Sequence, residues 1–183
     1  VESSVLTDLR FTLTGAFKIE KEKYRIGNIT AINYSNTRTI FTMARNDYGY
    51  SRIQSTGEAD PVFNFQDTQY SNAIRLGVMH NWAVKFAENH TIEFKNLFNQ
   101  MSNAQFVDRT GFDNGADWNI RSFDQTYRGI YTGQLVGKHQ FNNKTTQLDW
   151  VLGYNQSFRD QPDYKRFRYN ISNGQRTLLV PQG

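Results

Sequence analysis

The sequence predicts an all-β fold made of antiparallel transmembrane β-barrel strands. Apolar and polar side chains alternate with a period of two through stretches longer than soluble strands, which usually stop at about five or six residues. The connections between these stretches alternate short and long. Aromatic residues gather near the proposed strand ends. Successive side chains of a strand point to opposite faces, so a face carrying Asp, Arg and Lys must meet water and the other must meet something apolar. A barrel strand crosses an outer membrane in roughly 9–11 tilted residues, apolar outward and polar inward.

Taken in order, the first strand spans about 6–19, where Leu9, Phe11, Leu13, Phe17 and Ile19 alternate with Arg10, Thr12, Thr14, Ala16 and Lys18. The charged turn Glu20-Lys21-Glu22-Lys23 leads to a second strand, about 24–36, with Tyr24, Ile26, Ile32 and Tyr34 on one face. Residues 37–68, rich in Asn, Asp, Gly, Ser and Tyr, are expected to be a long loop. The third strand, about 70–86, aligns Ile74, Leu76, Val78, Trp82, Val84 and Phe86. A short turn at 87–90 precedes the fourth, about 91–101, and a second long polar stretch, 102–121, follows. The fifth strand is about 123–140 and the sixth about 145–159, where Leu148, Trp150, Leu152 and Tyr154 face one way. A weaker seventh strand is expected near 164–171. Short turns opposite longer loops are the habit of transmembrane barrels. Tyr24, Tyr34, Tyr70, Trp82, Phe86, Tyr127, Phe141 and Tyr154 suit the aromatic girdles of a bilayer interface.

Composition narrows the classes. The 183 residues suit one domain, 1–183. With no Cys, neither a disulfide framework nor a thiolate metal site arises. A net charge of +4 is too small an excess to imply nucleic acid. Mean hydropathy is −0.69, and no apolar run reaches the roughly 18 residues of a membrane helix; a barrel remains compatible, because its lumen face and loops are polar. Val1-Glu2-Ser3-Ser4 has no charged start or apolar run of a secretory leader, and both ends are expected to be cuts inside a longer chain.

Candidate sites are sparse. Arg45, Asp47, Tyr48, Tyr50 and Arg52, expected in an outer loop, offer charge-assisted bonds and ring faces to an anionic or sugar-like ligand. Asp113-Asn114-Gly115-Ala116-Asp117 carries oxygen donors around a glycine, as Ca²⁺ needs, but lacks the rest of an EF-hand; a plain Asn-Gly turn is the better reading. His80, His90 and His139 sit on or beside different strands and are not expected to converge. The carboxylates Asp108, Asp113, Asp117, Asp160 and Asp163 have no neighbouring nucleophile, so no catalysis and no cofactor is assigned. Arg10, Lys18, Arg75, Glu93, Lys95, Lys138 and Asp149 are expected to line the polar face.

The stretch Tyr131–Phe141, containing Gly137-Lys138-His139, the strand Leu148–Tyr154 with Trp150, and Arg159-Asp160-Gln161-Pro162-Asp163-Tyr164-Lys165-Arg166 together resemble the middle of a TonB-dependent outer-membrane receptor of Bacteroidetes type. Ile92–Gln100 is similar to strands of the same family. The resemblance covers about 91–168 in wording and the rest in rhythm only. It implies a segment of a 22-stranded barrel in the outer membrane of a Gram-negative bacterium, without plug domain or TonB box. It further implies import of a scarce ligand such as a siderophore, haem or glycan, driven by the TonB complex acting through an N-terminal part that this sequence lacks. Two other readings stay open: a complete small outer-membrane barrel with a structural or adhesive role, and a soluble all-β carbohydrate-binding module.

Overall fold

The computed structural model describes residues 7–50, 53–142 and 144–179. They form one antiparallel sheet of seven strands whose spatial order is the chain order. The strands are β1 (Leu9–Glu20), β2 (Tyr24–Gly49), β3 (Asp60–Phe86), β4 (His90–Asp113), β5 (Ala116–Phe141), β6 (Thr146–Ser172) and β7 (Gln175–Leu178), with a short helix α1 (Ile53–Thr56) between β2 and β3. β1 and the start of β2 lie close to their expected bounds, but β2 runs on to Gly49 rather than ending near 36.

The expected long loops are mostly strand; only the connection from 50 to 59 lies outside β2 and β3. Most of 37–68 belongs to β2 and β3, and 102–121 is the tip of the β4–β5 hairpin. Asn, Asp, Ser and Gly made these stretches look irregular, but their alternating Thr, Ile and Phe find cross-strand partners, and in a sheet pairing decides more than propensity. Likewise 164–171 is the last part of β6, and the seventh strand lies beyond it. The expected short–long alternation of loops becomes an alternation of hairpin overhang. One set of turns stays close to the apolar part of the sheet, while at the other end the strands run on as paired ribbons. Asn114-Gly115 and Asn173-Gly174 close two of these ribbons with both residues at positive φ, the combination a type I′ hairpin requires. The Asn-Gly reading of 113–117 therefore stands.

Pro61 and Pro162 lie inside strands, each at a bulge. Asp47 pairs with Phe63 and Tyr48 with Pro61, leaving Val62 extra. Tyr127 pairs with Asp160 and Gln125 with Asp163, so Gln161 and Pro162 together oppose Thr126. A bulge releases a backbone group from the ladder, which is where a residue without an N–H fits.

Register sorts the side chains, because directly opposed residues share a face. On one face lie Leu9, Phe11, Leu13, Phe17 and Ile19 of β1, then Tyr24, Ile26, Ile32 and Tyr34 of β2. Leu76, Val78, Trp82, Val84 and Phe86 of β3 follow, with Ile92, Phe94 and Phe98 of β4. Leu135 and Tyr131 of β5 and Leu148, Trp150, Leu152, Tyr154 and Phe158 of β6 complete it. This apolar band runs from Leu9 to Ile19 on β1, Leu76 to Phe86 on β3 and Leu148 to Phe158 on β6, the same height on each. Tyr24, Phe86 and Phe141 border it at the short-turn end, and Tyr34 and Tyr127 at the other. Above the band, Arg38, Asp160 and Asp163 appear on the same face. There an aromatic row, Tyr70–Phe106–Phe123–Phe167, crosses from β3 to β6 with centroid spacings of 5.8, 4.7 and 6.4 Å.

The band has no cover. Leu9, Leu13, Leu148, Leu152 and Tyr154 are all more than half exposed, and among the described residues only Phe65 and Ile120 are buried apolar side chains. A single sheet without a second layer has no core to hold it in water.

Candidate functional site on the polar face

Every residue expected on the polar face is there. Arg10, Lys18, Arg75, Glu93, Lys95, Lys138 and Asp149 share the side opposite the apolar band. Glu20 bridges Lys18 and Arg25, and Glu93 meets Lys95 at 2.7 Å. The densest cluster lies beyond the band, in the overhang. Asp67 of β3 is almost wholly buried. Its Oδ1 accepts from Arg109 Nε at 2.7 Å, and its Oδ2 accepts from Arg109 Nη2 at 2.8 Å and Arg45 Nε at 3.0 Å. Burial pushes the Asp67 pKa up, but the hydrogen bonds and charges of Arg109 and Arg45 outweigh it and hold the carboxyl below the usual range. Hydrogen bonding to Asp67 in turn raises Arg109. The Arg109 guanidinium also stands 5.3 Å from the Phe65 ring centroid, a cation–π distance. Asp67, buried under both arginines, fixes where they point.

The predicted ligand residues separate. Arg45 joins the Asp67 cluster from within β2 rather than from a loop. Asp47, two residues on, uses its carboxylate to accept from the Tyr48 backbone N–H at 2.9 Å. Tyr48 points to the other face, and Tyr50 lies past the strand, 70% exposed. Arg52 lies outside the described residues. Sequence reasoning missed Asp67 and Arg109, because both sit in stretches taken for loops. Strand pairing sets Asp67 opposite Arg109 and places Arg45 diagonally beside Asp67, as the partner of Phe65.

The histidines need a correction. His90 and His139 are cross-strand partners, with Nδ1 atoms 3.1 Å apart. Each sits beside a tight turn, and the β4–β5 register alone joins them. One ring donates and the other accepts, and Phe86, Phe141 and Trp150 pack around them. Among the described residues no group of three or more potential metal ligands gathers.

His80 belongs to a polar chain inside the apolar band. Trp82 Nε1 donates to His80 Nε2 at 2.7 Å, which leaves Nδ1 to donate to Thr30 Oγ1 at 2.8 Å. Thr30 Oγ1 donates to Asn28 Oδ1, and Asn28 Nδ2 donates to the Asn81 carbonyl. Nearby, the β3–β4 ladder skips His80–Asn81 against Lys95–Asn96. Side chains fill the gap: Asn96 N donates to Asn81 Oδ1, Asn96 Nδ2 donates to the His80 carbonyl, and Tyr131 OH donates to Asn96 Oδ1. The polar residues around His80 and Asn96 thus satisfy one another and the backbone.

On β5, Gly129, Gly133 and Gly137 lie opposite Phe158, Tyr154 and Trp150 of β6. A Cβ at Gly129 or Gly137 would stand 2.1 Å from the facing ring. The glycines are seats for rings, which explains both the Gly-x-His ending and the aromatic strand that follows it. No family model and no curated protein sequence matches this chain.

Proposed function

We propose that this chain is an arc of an outer-membrane β-barrel belonging to a TonB-dependent importer of a scarce ligand such as a siderophore, haem or glycan. The apolar band carries the reading. Its height, Leu76 to Phe86 on β3 and Leu148 to Phe158 on β6, matches the roughly 9–11 residues of a tilted barrel crossing. It is flanked by tyrosines and phenylalanines and opposed by charged residues, the distribution lipid outside and water inside would select. The strand order is that of an up-and-down barrel wall. Outer-membrane lipid covers the apolar face; the polar face meets water, ligand and plug. The ribbons beyond the band are the extracellular side, and the turns at Glu20–Tyr24, 87–89 and 142–145 are periplasmic.

The unpaired edges favour a large barrel over a complete small one. Among the described residues β1 pairs with β2 alone, and β6 pairs outward only over its last few residues, Arg168–Ser172. Long open edges are templates for further strands. A soluble sandwich needs a second sheet over the first, and the described residues form one.

The test is fractionation of source cells with an antibody raised against this chain. The expected result is an outer-membrane band several times heavier than 21.3 kDa. A band of about that mass in the outer membrane overturns the importer in favour of the small barrel; a soluble band overturns the membrane reading altogether.

A further inference from the structure

Between β2 and β6 the polar face holds a cavity of about 240 Å³ lined by Arg45, Asp67, Arg109, Tyr164 and Arg166. Three guanidinium groups share it with one carboxylate, and that carboxylate is buried beneath two of them. Arg45 touches Asp67 through Nε alone, which leaves its terminal nitrogens to the cavity. Among the described residues Arg166 has no ion-pair partner, whereas Arg45 and Arg109 both pair with Asp67. The neighbouring acids on this face are engaged elsewhere: Asp47 accepts from the Tyr48 backbone N–H at 2.9 Å, Asp124 accepts from Gln161 Nε2 at 2.7 Å, and Asp113 lies 3.6 Å from Arg168 Nη2. The cavity wall therefore carries two positive charges in excess, with the Tyr164 hydroxyl beside them.

We infer that this cavity binds a doubly charged oxyanion, of which a phosphate monoester is the simplest case. Planar guanidinium forks recognise such groups through paired, charge-assisted hydrogen bonds. Asp67 holds two of the three forks in place before the ligand arrives, which lowers the ordering cost of binding. Size sets the scope: pockets for whole drug-sized ligands run to roughly 300–1,000 Å³, so this one takes an anionic group while the rest of the ligand lies along the polar face. The inference deepens the importer reading by naming the ligand chemistry, and rests on that reading for its transport meaning.

The experiment is calorimetric titration of inorganic phosphate into the intact polypeptide purified in detergent, at low and moderate salt. Saturable binding is expected, weakening as salt rises. Arg166→Gln should weaken it at least about tenfold, the loss of one charge-assisted contact, and Arg166→Lys should recover part of the loss. Arg166 has no ion-pair partner among the described residues to abandon, so these variants should keep the parent's thermal midpoint. Lys138→Gln, on the same face but outside the cavity, should change nothing. Absence of saturable binding overturns the inference, as does binding that Arg166→Gln and Arg45→Gln leave intact. Phosphate binding by a soluble or 21 kDa native chain would uphold the site and sink the importer, so the two failures read separately.

Discussion

Asn96 shows how a polar side chain earns a place in an apolar band. It caps the His80 carbonyl and takes a bond from Tyr131 where the β3–β4 ladder opens. If lipid covers the band as proposed, Asn96→Leu would leave the His80 carbonyl and the Tyr131 hydroxyl without partners, at about 1–3 kcal/mol each. Gln100→Leu, on the same face of the same strand, should be neutral or stabilising; urea unfolding of the intact protein in vesicles compares the two. Asp67 gives a pH signature. Its folded pKa lies below the ordinary value, so its contribution is complete above the unfolded value of about 3.9 and is lost as pH falls through the folded one. Asp67→Asn should cost about 2 kcal/mol at neutral pH, a figure reduced for the half-exposed Arg45. The gap between variant and parent should close on acidification below that window, and a gap independent of pH would mean the carboxylate charge is not what holds the arginines.

At the scale of strands, β6 offers a matched pair. Leu152 and Val151 are adjacent, 64% and 61% exposed, and point to opposite faces. If the band lies in lipid as proposed, Leu152→Arg should cost about 2–4 kcal/mol near its middle, while Val151→Arg should be tolerated; equal effects in vesicle refolding would contradict the face assignment. Gly137→Val forces a side chain into the space of the Trp150 ring and should cost about 1–3 kcal/mol, read as a lower thermal midpoint. Faces were legible in the sequence because period-two alternation survives whatever the strand's length. Strand ends were not, because β2, β3 and β4 continue past the band with polar residues on both faces, and composition there mimics a loop. Hence the Arg45–Asp67–Arg109 cluster was only one-third visible: Asp67 and Arg109 acquire meaning from register, which no local pattern encodes. The same holds for His90 and His139.

For the molecule as a whole, an uncovered apolar face more than half exposed at Leu9, Leu13 and Leu152 predicts that unheated protein in detergent gels migrates differently from boiled protein. Identical migration would speak against a closed barrel. The architecture also bears on how such a wall is built. Every strand of the sheet pairs with its predecessor in the chain, and the turns joining β1 to β2, β4 to β5 and β6 to β7 are tight. Contacts of small sequence separation need little loop closure before they are rewarded. The sheet can therefore grow hairpin by hairpin, each new strand docking on the edge the last one left. An interrupted synthesis would stop with a competent edge rather than a tangle, and the order of synthesis becomes the order of assembly.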